Sequence, residues 1–249
     1  GQDATIDLVF SGTADPVDFN ASGTQIVIPA GSTTGSITVT AVQDVLPEGD
    51  HTIVVDIDAA TNAVEDGTQQ VTTTIVDDDP LPNLSLLLFN PNIPENNGTT
   101  QITAFLSGIS GTDVVIDLEF TGTATLDTDF TAPTQIVIPR GGLNAAITFT
   151  AIPDSIDEDD ETIIATVSNI TGANGGGSQT ITIIDDDITP DVTISVTPAS
   201  FVESIGQIQP ATVRVFLSTV VGVPVTVDLE YDGTATLDTD FTAPTQIVI

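Results

Sequence analysis

The stretch "FTGTATLDTDFTAPTQIVI" at Phe120–Ile138 returns at Tyr231–Ile249 as "YDGTATLDTDFTAPTQIVI", 111 residues on and with two of 19 positions changed. A looser copy, "FSGTADPVDFNASGTQIVI", spans Phe10–Ile28, and "IVDDD" ending at Asp79 returns as "IIDDD" ending at Asp187. A period of about 110 residues is too long for a solenoid unit and suits a string of independent domains. Cutting after each DDD divides the chain into 1–79, a repeat lacking its beginning, 80–187, a complete repeat, and 188–249, a repeat lacking its end. The chain therefore reads as an excerpt of a longer array. The connections "PLPN" (Pro80–Asn83) and "ITPD" (Ile188–Asp191) are short and contain proline, which predicts restricted angles between neighbours.

Within a repeat the apolar period is two. Ile37, Val39 and Ala41 alternate with Thr38 and Thr40; Ile53, Val55 and Ile57 alternate likewise, as do their counterparts Ile163, Ala165 and Val167, and so do Val192, Ile194 and Val196. Such β-branched alternation, broken by turn clusters such as "PAGSTTG" and "TGANGGGS", predicts half-buried strands, and no useful window shows helical spacing. About seven strands per repeat predicts an all-β chain of tandem, seven-stranded, antiparallel, immunoglobulin-like sandwiches.

Charge narrows the function. The 249 residues hold 36 Asp and Glu against 2 Lys and Arg, for a net charge of −34. Such a surface repels phosphate backbones and anionic lipid, which excludes nucleic acid and membrane surfaces as partners. Yet 40% of the residues are hydrophobic and the mean hydropathy is +0.27, so the chain can bury a core. There is no cysteine for a disulfide or a thiolate site. No apolar run approaches the roughly 20 residues a membrane helix needs, so no membrane insertion is expected within this segment.

The acids recur in groups. In the complete repeat these are Glu95 in the first strand region, Asp129 in "TLDTDF", Asp154, Asp157, Glu158 and Glu161 in "PDSIDEDDE", and Asp185, Asp186 and Asp187 after the last strand. The first repeat matches with Asp18, Asp44, Glu48, Asp77, Asp78 and Asp79, and the third with Glu203 and Asp240. A solvated surface would scatter these residues over exposed strand positions, which Thr, Ser and Gln fill instead.

The early glutamate, "GTAT" followed by "DF", the D-x-x-x-E-x-x-E loop and the terminal DDD resemble the Calx-beta domain, over one full and two partial copies. The resemblance implies that the acidic groups converge at one end of each sandwich and bind calcium ions. The chemistry agrees, because calcium takes 6–8 hard oxygen ligands and needs neither sulfur nor imidazole. His51 stands where the second loop glutamate falls (Glu161 in the full repeat), so the first site is expected to bind fewer or weaker calcium ions.

Other chemistry is poorly supported. His51 is the only histidine and has no triad partner. The sets Phe10/Phe120/Tyr231 and Phe19/Phe130/Phe241 read as core packing rather than a sugar platform, and Arg140 and Arg214 read as surface or strand-edge residues. Carboxylates repeated in every unit suit a structural site better than glycoside hydrolysis. The chain is read as no enzyme. It is expected to be a calcium-rigidified stalk of a long extracellular or cell-surface adhesin or filament, whose partners are neighbouring repeats and lateral or homo-oligomeric contacts. A regulatory calcium sensor of a membrane transporter, or an accessory module of a secreted hydrolase, fits the same residues.

Overall fold

A computed structural model describes residues 1–201 and 210–249. Its nineteen strands run in chain order, and among the described residues there is no helix. The first repeat supplies β1 (Ala4–Gly12), β2 (Phe19–Ala21), β3 (Gln25–Ile28), β4 (Val39–Ala41), β5 (His51–Thr61) and β6 (Gln70–Ile75). The middle repeat supplies β7 (Leu84–Leu88), β8 (Asn92–Pro94), β9 (Thr99–Leu106), β10 (Val114–Gly122), β11 (Phe130–Thr131), β12 (Gln135–Ile138), β13 (Asn144–Ala151), β14 (Glu161–Thr171) and β15 (Ser178–Ile184). The third supplies β16 (Val192–Thr197), β17 (Thr212–Leu217), β18 (Thr226–Asp228) and β19 (Gln246–Val248).

The middle repeat is a two-sheet sandwich, with strand orders β12-β10-β14-β15-β8 and β11-β13-β9-β7. Seven strands carry it, and the short β8 and β11 are additions at the sheet edges. Its strands pair antiparallel with one exception: β8 runs parallel to β15, with Ile93 opposite Ile183. Pro94 lacks an N–H and suits only such an edge position. Alternation along β9, β13 and β14 sends Ile102, Ala104, Ile147, Phe149, Ile163 and Ala165 into one shared core with Ile116, Ile136 and Phe130. Phe130 lies 5.7 Å from the Phe120 ring and 6.2 Å from that of Phe149, and the pairs Phe10–Phe19 and Tyr231–Phe241 repeat this packing at 5.8 and 5.5 Å.

The near-identical motif acquires a structural role at each of its ends. The glutamine of "TQIVI" donates to an aspartate on the neighbouring strand, Gln25 to Asp7 at 2.6 Å, Gln135 to Asp117 at 2.7 Å and Gln246 to Asp228 at 2.9 Å. A bulge follows that aspartate in β1 and again in β10. At the other end, Gly122 has φ +125°, and a Cβ there would overlap the Thr162 carbonyl; Gly12 meets Thr52 in the same way.

Two strand expectations change. Val192, Ile194 and Val196 do form β16, but that face is open, with Ile194 63% exposed. Their counterparts Leu84, Leu86 and Leu88 in β7 join the middle core, whereas among the described residues the third repeat has, besides β16–β17, the two-stranded β18–β19. The expected strand around Ile37 is shortened to Val39–Ala41, paired with β2 alone.

Candidate metal centre

The middle site is assembled at one end of its sandwich by strand ends. Glu95 follows β8 and is held there by its N–H, which donates to the Ile184 carbonyl at 2.9 Å. Asp129 immediately precedes β11, Glu161 opens β14, and Asp185 follows β15. Asp154 and Glu158 lie on the β13–β14 loop between them. One cavity is lined by Glu95, Asp129, Asp154, Glu158, Glu161 and Asp185, together with Asp159.

Backbone donors hold the loop in place. Glu95 Oε1 accepts from the Asp154 N–H at 2.8 Å, and Asp154 Oδ1 accepts from Ile156 at 2.7 Å. Asp185 Oδ1 accepts from Glu158 at 3.4 Å, while Asp160 Oδ1 accepts from the Asp185 N–H at 3.2 Å. The first repeat reproduces the pattern, with Asp44 accepting from Leu46 at 2.7 Å, Asp77 from Glu48 at 3.1 Å and Asp50 from Asp77 at 3.1 Å.

The "GTAT" turn acts on the site through a threonine clasp. The Thr162 N–H donates to Thr123 Oγ1 at 2.8 Å, and Thr52 donates to Thr13 at the same distance. This anchors the first residues of β14 and sets Glu161 beside Asp129. Asp129 also caps its own turn, Oδ2 accepting from the Thr125 N–H at 2.6 Å; Asp18 and Asp240 do the same from Asp15 and Thr236. Sequence reasoning missed the clasp and the part of Asp160, although both threonines and the acid recur in the first repeat as Thr13, Thr52 and Asp50.

The assembled carboxylates oppose one another. Burial, then the charge of Asp129, pushes the Glu161 carboxyl up to about 7. Burial is also the main cause that raises Glu95, Glu158 and Asp187, followed for Glu158 by Asp154 and for Asp187 by Asp185. Oxygens of Glu95, Asp185 and Asp187 lie within 4.8 Å of one another, and Asp187 Oδ2 is a buried acceptor with no donor in reach. A buried oxygen without a partner is costly unless a cation or water meets it. An all-oxygen, carboxylate-rich set with such an orphan fits a hard divalent cation.

The remaining residues divide. Asp157 is turned toward the following connection, its Oδ1 accepting from the Thr189 hydroxyl at 3.4 Å. Asp186 is exposed, whereas Asp185 and Asp187 on either side of it are half-buried. In the first repeat Asp18, Asp44, Glu48, Asp77, Asp78 and Asp79 all line one cavity with His51. There His51 Nδ1 stands 3.3 Å from Asp18 and 3.8 Å from Glu48, in the place of a third carboxylate. The N–H of Gly49, above all, lowers Asp77, while burial and Asp44 raise Asp79. Glu203 lies outside the described residues.

A search of curated proteins finds no match. Among solved structures, the chain is similar to the apo form of the Calx CBD1 domain, at 23% identity over 43% of this chain and 99% of that one, with a TM-score of 0.38. It is similar also to CBD12 from CALX1.2, at 16% identity over 69% and 70% with a TM-score of 0.30, and to the calcium binding domain CBD12 of CALX1.1, at 13% over 70% of each with a TM-score of 0.29. The model of the Calx-beta domain matches residues 5–79, 85–187 and 185–249. With three matches that together span nearly its whole length, the chain belongs to the Calx-beta domain family.

Proposed function

We propose that this chain is a non-catalytic, calcium-binding segment of a long repetitive surface or secreted protein, in which calcium stiffens a stalk. The carrying observation is the buried, donorless Asp187 Oδ2 beside Glu95 and Asp185, at the residue that leads directly into the connection Ile188–Asp191. A cation there would join β8, the β13–β14 loop and the root of the connection, and would offset the burial and the mutual repulsion that raise Glu161 and its neighbours. Its binding free energy would add to the stability of the folded repeat. The near-identity of Phe120–Ile138 and Tyr231–Ile249 supports the stalk reading, since serial duplication suits a protein whose length matters.

Small-angle scattering and thermal melting, each with calcium and with chelator, test the proposal. The expected result is a shorter maximum dimension and a lower melting temperature in chelator. Identical profiles in both conditions would refute it. Half-saturation at about 10⁻⁴–10⁻³ M suits an extracellular stalk, whereas micromolar affinity would favour a regulatory sensor.

A further inference from the structure

At the end opposite the acidic loops, the middle and third repeats carry an equivalent corner: residues 107–113 before β10 and 218–225 before β18. In the middle repeat this corner reaches back to the first repeat. The Gly111 N–H donates to the Pro47 carbonyl at 2.9 Å, and the Ser110 hydroxyl points to the same carbonyl at 3.4 Å. Ser110 is only 2% exposed, and its carbonyl accepts from Gly141, which ties the corner to the β12–β13 turn. A Cβ on Gly111 would overlap Glu48 Cβ and stand 3.1 Å from Glu48 Cα.

The next junction repeats the contact 111 residues on. The Gly222 N–H donates to the Asp157 carbonyl at 3.2 Å, and a Cβ on Gly222 would overlap the Glu158 carboxylate. The corner sequences have otherwise diverged, Ile109-Ser110-Gly111-Thr112-Asp113 against Val220-Val221-Gly222-Val223-Pro224. Over these five positions only the glycine is kept. Its own fold does not require it, since neither glycine has a positive φ and their close neighbours belong to the preceding repeat.

We infer that Gly111 and Gly222 are inter-repeat latches: each docks its corner, through one backbone hydrogen bond and a side-chain-free approach, onto the acidic loop of the preceding repeat. The partner of this surface is the preceding copy of the same domain, and the contact is head-to-tail. Applied at every junction, it generates an open array with one nearest-neighbour geometry. The latch consists of backbone and packing, so it operates without a metal. At the first junction Arg140, 3.8 Å from Glu48, adds a solvent-exposed ion pair of little weight.

The absence of cysteine permits clean labelling. Nitroxides on Thr68→Cys and Thr180→Cys, exposed positions in the first and middle repeats, report the junction by electron double resonance in chelator. The unmodified corner is expected to give a narrow distance distribution, and Gly111→Val to broaden it about twofold or more, as for domains without a firm interface. Gly108→Ala, in the same corner but with open space around its Cβ, should leave the width unchanged. Equal widths for the parent and Gly111→Val would overturn the inference, as would broadening by Gly108→Ala. A second arm needs no variant: the Gly111 and Gly222 amides should exchange with solvent roughly tenfold or more slowly than an unstructured glycine. Free exchange at both would overturn it too. Because both arms are run in chelator, failure of calcium binding leaves their outcome untouched.

Discussion

Replacing Glu161 with glutamine isolates the cost of keeping a half-buried, charge-opposed carboxylate ionised in the middle site without calcium. Burial at the start of β14 and the charge of Asp129 move its carboxyl from 4.5 to about 7. Between those two values the native chain keeps a proton that the unfolded chain has released, so stability falls as pH rises through that window. Below pH 4.5 both states are protonated and the penalty vanishes; above about 7 it is fully expressed. At about 1.36 kcal/mol per pH unit the gap of about 2.5 corresponds to about 3 kcal/mol, which solvent screening at the loop rim reduces to about 1–2 kcal/mol. Glu161→Gln keeps the shape and removes the charge. In chelator at pH 8 the variant should therefore be the more stable by about 1–2 kcal/mol, at about 4–8 °C of melting temperature per kcal/mol for a domain of this size. At pH 4.5 the two should coincide. In calcium the order should reverse, because the parent alone gains the full binding free energy. Circular-dichroism melts across pH 4.5–8, with chelator and with calcium, supply the comparison. A variant no more stable than the parent at pH 8 in chelator, or a difference independent of pH, would refute the reasoning.

Three further outcomes are expected. Gly122→Ala should cost about 2–4 kcal/mol in urea unfolding, since its Cβ overlaps the Thr162 carbonyl at positive φ, whereas Gly233→Ala, with nothing within 4 Å, should cost only about 1–2 kcal/mol of backbone strain. Phe130→Ala empties a fully buried place between the rings of Phe120 and Phe149 and should lower stability by about 3–5 kcal/mol, again read by urea unfolding. His51→Glu restores a carboxylate beside Asp18 and Glu48 and should raise the calcium affinity of the first repeat by roughly tenfold, measured by calorimetry.

Period-two alternation was enough to read β14, because Ile163 and Ala165 face a core while the residue between them faces outward. The same alternation in Val192–Val196 does not say whether a second sheet covers it, and among the described residues none covers β16. The parallel pairing of β8 with β15 leaves no mark on the sequence beyond Pro94, since pairing direction depends on how the chain crosses between sheets. Grouping of the acids was visible from their recurrence, but their division of labour was not. Asp129 both faces Glu161 and caps Thr125, Asp157 turns to Thr189, and Asp186 points to water; these differ through local backbone direction, which residue type does not encode. The latch glycines were equally silent, since a glycine demanded by a neighbouring repeat looks like any loop glycine until that neighbour is in place.

Calcium titration of the whole chain by calorimetry, set beside Asp187→Asn, tests the central claim most directly. The expected result is saturable binding heat with half-saturation at about 10⁻⁴–10⁻³ M, and an affinity at the middle site reduced roughly tenfold or more in the variant, whose orphan oxygen loses its charge. No binding heat up to about 10 mM calcium, well above the weakest extracellular sites, or an unaltered titration in Asp187→Asn, would contradict it.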